Sequence, residues 1–191
     1  MVKVVKAGKT SPQTVVIRTR RAYFDCRFGQ LHVRTAFPDT GGFDEQATLF
    51  CLHALDASSR TFSRLLTALA DVRSVYAPDL PGFGESDPSP ARGVGDAALA
   101  VADLAGGLRL RQVDLFGIQY GAEVALELAA LRPDLVRCLV LAGVPAAERL
   151  ARVKHRHRVL DVARYGGDAF GEGAPKLGEE IGAFLRGGPK P

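Results

Sequence analysis

The sequence predicts an α/β protein, a three-layer α/β/α sandwich around a mostly parallel sheet. Three observations lead there. From Ala47 onward, short apolar runs alternate with longer segments of helical periodicity. The runs Ala47–Leu52, Val72–Ala77, Gln112–Phe116 and Leu135–Val144 lack a regular in/out alternation, as expected for strands covered on both faces. The segments between them are long enough for crossover helices, so neighbouring strands can run parallel.

Taken in order, residues 1–21 read as a basic N-terminal arm with one short strand candidate, Val15–Ile17, and residues 22–191 as a single domain. Tyr23–Phe28 and Leu31–Ala36 are β-rich runs separated by Gly29-Gln30, the spacing of a hairpin. Pro38, Asp39, Gly41 and Gly42 mark a loop over residues 37–46. Ser58-Ser59 can cap a helix over Thr61–Ala70, with Phe62, Leu65, Leu66 and Leu69 on one face. Pro78-Asp79 ends the next strand, and an alanine-rich helix covers Val94–Leu108. The strand Gln112–Phe116 leads to a helix over Tyr120–Leu131, stopped by Arg132-Pro133. Beyond Pro145 the pattern weakens. Ala146–Val153 reads as helical, Arg158–Val162 as a last strand, and Pro175–Leu185 as an amphipathic helix carrying Leu177, Ile181, Phe184 and Leu185 on one side.

Length and composition fit one globular domain: 191 residues, 47% apolar and 24% charged, with formal net charge +4. Arg18, Arg20 and Arg21 form one basic cluster and Lys154–Arg158 another. Both read as solvated faces. No nucleic-acid-reading motif accompanies them, so nucleic acid is not an expected partner. His155 and His157 sit among Lys154, Arg156 and Arg158, whose charge disfavours a metal; neither metal nor cofactor is expected. Cys26, Cys51 and Cys138 form no C-x-x-C pair and read as reduced core thiols. Met1–Lys9 lacks the apolar core of a signal peptide, and no run reaches the ~18 apolar residues of a membrane span. A cytoplasmic protein without membrane attachment is the resulting expectation.

Several motifs in fixed order resemble the α/β-hydrolase superfamily, from about Ala22 to Val144 and again near the C-terminus. Cys51-Leu52-His53-Ala54 is similar to the His-Gly strand end before the oxyanion loop. Asp79-Leu80-Pro81-Gly82-Phe83-Gly84-Glu85-Ser86 is similar to the D-x-P-G-x-G-x-S loop. Gly117-Ile118-Gln119-Tyr120-Gly121 occupies the place of the G-x-S-x-G nucleophile elbow, between a strand and a helix. Leu139–Gly143 resembles the strand after the elbow helix. The resemblance implies an α/β-hydrolase-like sheet, here C-terminally reduced and without a full cap.

At the elbow the reacting residue is replaced. A neutral carboxamide, Gln119, cannot attack a carbonyl as an alkoxide or thiolate does. The resemblance assigns the oxyanion pocket to the Tyr120 amide and to the loop at Ala54 and Leu55, with His53 steering that loop. It puts Asp168 at the base position, after Gly167 and before the helix opened by Pro175. Between Val144 and Tyr165 there is too little chain for a cap, a strand and an acid. Ser86, Ser58 and Ser59 are read as loop and cap residues, Cys51 as inert core, Asp79 as the organiser of its loop, and His32 as part of the early hairpin, away from the elbow.

Two functions remain open. The first is a protein without an ordinary Ser-His-Asp triad, binding a small apolar molecule at His53, Ala54, Leu55, Gln119 and Tyr120, or serving as an interaction partner. The second is an atypical hydrolase of ester-type substrates, using Tyr120, His53 or Asp168 around a water, or residues of a partner chain. Removing strands and a cap exposes apolar surface and a strand edge, so a homo-dimer through the sheet edge or the reduced cap region is expected.

Overall fold

A computed structural model describes residues 17–38, 46–90, 93–143, 147–165 and 168–187. Seven strands form one sheet in the order β1-β2-β4-β3-β5-β6-β7. The antiparallel part comprises β1 (Arg20–Cys26), β2 (Gly29–Ala36) and the β2/β4 pair, with β4 at Val75–Pro78. The rest is parallel: β4 with β3 (Thr48–Leu52), then β5 (Val113–Ile118), β6 (Val136–Ala142) and β7 (Arg156–Leu160).

Helices cover both faces, which is why the central strands are apolar on both sides. α2 (Val94–Gly107) and α3 (Tyr120–Leu131) pack with Phe50, Leu52, Leu115, Leu139 and Leu141. On the other face α1 (Ser63–Leu69) and α5 (Ala174–Arg186) pack with Leu49, Cys51, Phe116, Val140 and Ala142. Adjacent residues of β3 thus feed opposite cores, as strand geometry demands. Each large side chain so buried contributes about 1.5–3 kcal/mol. Gly178 permits close helix contact: a Cβ there would lie 3.0 Å from that of Ala68 on α1.

The sheet order and the helical layers agree with the three-layer expectation. Several boundaries move. β1 begins at Arg20, inside the segment read as an arm; Ile17 is not in a strand but packs on the α1/α5 core, and Val15 and Val16 lie outside the described residues. The helix read over Thr61–Ala70 is split, with a 3-10 turn at Ser59–Phe62 capped by Ser58 and then α1. β4 starts at Val75 rather than Val72, because Arg73 turns inward. Its Nη1 lies 2.8 Å from Asp114 Oδ2, and both side chains are fully buried. Arg137 Nε donates to Asp114 Oδ1 at 2.8 Å, completing an Arg–Asp–Arg cluster under the sheet.

The C-terminal region carries the main correction. A short helix α4 (Ala147–Leu150) leads directly to β7, which starts two residues earlier than read and lies parallel against β6. The second half of the basic run is therefore the start of an edge strand, and Lys154, His157 and Arg158 are exposed, as a solvated face requires. Arg156 stacks over Phe184 of α5 at 3.9 Å and donates to its carbonyl at 2.5 Å; Arg158 pairs with Glu180. β7 is a sheet edge among the described residues, and its outer side chains His157, Arg158 and Val159 are exposed.

Candidate functional site

The parallel strands end together on one side. Leu52 is level with Gly117, Ile118 with Ala142, and Ala142 with Leu160. His53, Gln119, Gly143 and Asp161 follow these ends directly, with Asp79 following β4. The carboxyl edge of a parallel sheet is where such folds place ligand sites.

Gln119 sits at the turn from β5 to α3 with φ 49° and ψ −110°. That left-handed region costs a non-glycine residue about 1–3 kcal/mol and persists only where surroundings hold it. Here the Gln119 N–H donates to Ala142 O at 2.7 Å, and its carbonyl accepts from Ala122 and Glu123 at 2.9 and 3.1 Å. A Cβ on Gly117 would lie 2.3 Å from Gly121 O, and one on Gly121 would lie 2.1 Å from Leu52 O. Both glycines are thus demanded by the approach of α3 to β3 and β5. The Gln119 side chain is exposed, and its carboxamide makes no hydrogen bond among the described residues. It lies beside Gly143, where a Cβ would come within 3.1 Å of its Cγ.

His53 is fully buried with both ring nitrogens engaged. Nδ1 faces Ala54 O at 2.7 Å and Nε2 accepts from Leu80 N–H at 2.9 Å. That pattern fixes the neutral tautomer with the proton on Nδ1. Burial pushes the imidazole below its ordinary pKa, over the opposing pull of the Ala54 carbonyl and Asp79. The ring ties the loop after β3 to the loop after β4. Ala54 is half-buried, while Leu55 is 56% exposed. Phe83 lies between His53 and Tyr120, with ring centroids 5.6 and 6.3 Å away. Tyr120 is half-buried, and burial raises its phenol. As the first residue of α3 it directs an N–H that helix geometry leaves without a partner in the helix.

Asp79 organises the second loop. Its carboxylate accepts from Ser59 N–H at 2.6 Å and Glu85 N–H at 2.8 Å, and bonds His32 Nδ1 at 2.9 Å. Burial pushes this carboxyl up, but the donors from Glu85, Ser59 and His32 outweigh it and hold it below the usual range. Gly84, at φ +60°, leaves room for the carboxylate: a Cβ there would meet Asp79 Oδ2 at 2.2 Å. Ser86 donates to Asp79 O at 2.7 Å and accepts from His32 N–H at 2.9 Å, so its hydroxyl is committed to the loop. His32 lies in the hairpin, yet it braces the same Asp79–Leu80 turn that His53 holds from the other side. The sequence offered no signal for this pairing of two distant histidines on one turn.

Asp168 is exposed, and its Oδ2 faces Glu172 N–H at 3.4 Å within its own turn. Next to it, Phe170 packs on Phe62 and Phe116 and anchors the entry to α5. Asp161, which the sequence reading passed over, follows β7 at the carboxyl edge, two strands from Gln119; its Oδ1 accepts from Ala163 N–H at 3.1 Å. The strand read over Arg158–Val162 placed Asp161 inside it; the observed end at Leu160 puts Asp161 at the carboxyl edge. The remaining histidines lie elsewhere: His155 faces Pro133 O beyond α3, and His157 is exposed on β7. No cluster of three metal-binding side chains exists among the described residues. None of their helices is long and apolar enough to cross a membrane. Cys51 is fully buried and burial pushes its thiol far up, which leaves it unreactive.

Comparison with known proteins agrees with this architecture. A family model described as alpha/beta hydrolase fold matches residues 47–186. Pimeloyl-[acyl-carrier protein] methyl ester esterase of Neisseria meningitidis is 30% identical over 148 residues, covering 74% of this chain and 48% of that protein. 2-Hydroxymuconate semialdehyde hydrolase of a Pseudomonas species is 40% identical over 84 residues, covering 41% of this chain and 29% of that protein. Among solved structures, Cfl2 of Burkholderia cenocepacia superposes with a TM-score of 0.59 at 27% identity, covering 70% of this chain and 49% of the other. The chain thus spans half or less of the length of these relatives. The elbow geometry, the two braced loops and the family match together place this chain in the α/β-hydrolase superfamily.

Proposed function

We propose that this chain binds a small, largely apolar molecule carrying a hydrogen-bonding carbonyl or amide, at the carboxyl edge around Gln119, without ordinary Ser-His-Asp catalysis. The observation that carries the reading is the exposed, unpartnered carboxamide of Gln119 on a backbone that the fold holds in a costly conformation. It can both donate and accept. Leu55, Phe83 and Tyr120 offer apolar surface on the surrounding loops, and the start of α3 offers N–H groups to a ligand carbonyl. His53 supports the non-catalytic reading, since both its nitrogens serve the loops. The Ala54 and Leu55 backbone belongs to the same proposed pocket, and Asp168 stays outside the chemistry.

The test combines a serine-directed fluorophosphonate, a panel of short p-nitrophenyl esters and NMR titration with a small apolar amide. Expected are no labelling, no turnover above background, and shifts at Gln119 and Tyr120 that disappear in Gln119→Ala. Turnover abolished by His53→Gln or Asp168→Asn would establish the atypical-hydrolase reading instead, which the esterase and hydrolase relatives favour.

The partner of the open β7 edge is, in the same proposal, a second copy of this chain. Its basic residues repel across a two-fold axis, so pairing there is expected to be weak at low salt. A cytoplasmic location is part of the same reading.

A further inference from the structure

A cavity of about 350 Å³ lies between the second half of α3 and the segment joining α4 to β7. It is at the low end of ligand-pocket sizes, roughly 300–1,000 Å³. Measured along α3, it begins roughly 10 Å from Gln119, toward the amino edge of the sheet. It is therefore separate from the site at the elbow. Leu126, Ala129, Ala130 and Val153 give it an apolar lining, and Arg152 and Lys154 stand on it.

The charges around it are unbalanced. Arg149 and Glu127 also line the cavity; Arg149 pairs with both Glu123 and Glu127 of α3, so these three groups together carry one net negative charge. Arg152 and Lys154 make no ion pair among the described residues and are exposed. The wall is fixed by His155, whose Nε2 lies 3.1 Å from Pro133 O. Arg152 and Lys154 outweigh the one surplus carboxylate, and an apolar recess with a net positive charge favours a ligand with a short hydrocarbon tail and an anionic head. A cationic or neutral head would forgo the Coulomb attraction.

We infer that this cavity is a second binding site, for a short- to medium-chain carboxylate whose tail lies against Leu126, Ala129 and Val153 and whose head meets Arg152 and Lys154. The inference does not depend on the reading of Gln119.

The probes are butanoate, hexanoate, octanoate, octanol and octylamine, titrated into the isotopically labelled full chain. Expected are octanoate-dependent amide shifts at Ala129, Ala130 and Val153, with affinity rising up to about fourfold per buried methylene along the series. Octylamine should bind at least about tenfold more weakly than octanoate. The double variant Arg152→Glu/Lys154→Glu should cost about tenfold or more in octanoate affinity, and Ala130→Phe should abolish the shifts by filling the recess. Both leave core contacts intact, so lost binding is not lost folding; unchanged dispersion of the remaining amides checks this. Equal affinity for octylamine, octanoate binding untouched by both variants, or shifts confined to Gly117–Gly121 would each overturn the assignment.

Discussion

Replacing Asp79 by Asn keeps the side-chain volume and removes the charge from the centre of the loop network. The carboxylate serves three groups: the amides of Ser59 and Glu85, and the His32 ring. Asp79 is 1% exposed and His32 is fully buried, so water cannot replace what is lost. An amide has one acceptor oxygen, and its NH2 presents hydrogens to donors on the other side. At least one buried donor is then orphaned at about 1–3 kcal/mol, and the charge-assisted part of the others is lost at about 1 kcal/mol each. The expected cost is about 3–5 kcal/mol, a large share of the ~5–15 kcal/mol stability of a domain. Urea unfolding followed by far-ultraviolet circular dichroism measures it. The pH dependence has a definite sign. Because the folded state holds Asp79 below its usual range, its contribution is complete above the unfolded value of about 3.9 and disappears as pH falls through the folded pKa. The difference between wild type and Asp79→Asn should therefore be constant near neutrality and shrink below about pH 4. A cost under about 1 kcal/mol at pH 7, or a difference that grows on acidification, would refute the account of Asp79 as an ionised hub.

Gln119→Ser alone should give no burst and no ester turnover above background in stopped-flow assays, since His53 has no free nitrogen to accept the hydroxyl proton. Gly121→Ala should destabilise by about 3 kcal/mol or more in the same urea assay, because its methyl meets backbone, Leu52 O, rather than a movable side chain. Asp114→Asn should cost about 3–5 kcal/mol by leaving two arginines facing each other in the core. Sedimentation of the wild type should show self-association rising with salt, as the charges of the β7 edge are screened.

The sheet was legible because its signal is local. A strand covered on both faces must be apolar at consecutive positions, and Leu49 to Leu52 show this without knowledge of their neighbours. β7 was misread by two residues because it is an edge. Pairing only with β6 leaves room for Arg156, which stacks on Phe184 of α5, and for Arg158, which meets Glu180 of α5 at the surface. β4 was read too early because Val72 and Arg73 extend the apolar and β-prone run, while the partner that bends Arg73 inward, Asp114, is 41 positions away. The same holds for His32 and Asp79, 47 positions apart. The elbow and the Asp79 loop were visible as glycine spacings. What each polar residue does there depends on contacts that only the folded chain assembles.

The elbow separates two things that a sequence motif joins. Gly117 and Gly121 are fixed by collisions with backbone, and the φ of residue 119 by hydrogen bonds through its own N–H and carbonyl. None of these constraints involves the side chain at position 119. Any residue there inherits the exposed, strained placement that suits a nucleophile, and its chemistry is then set by what the side chain itself carries and by which neighbours have free atoms. On the proposed reading, a carboxamide at 119 and an imidazole at 53 bound at both nitrogens make the frame one of hydrogen-bonding groups rather than a proton relay. The glycines are thus evidence for the fold whatever occupies the centre. The function turns on atoms that the strand–helix packing leaves unconstrained, and those are the atoms that titration with amide ligands and esters interrogates.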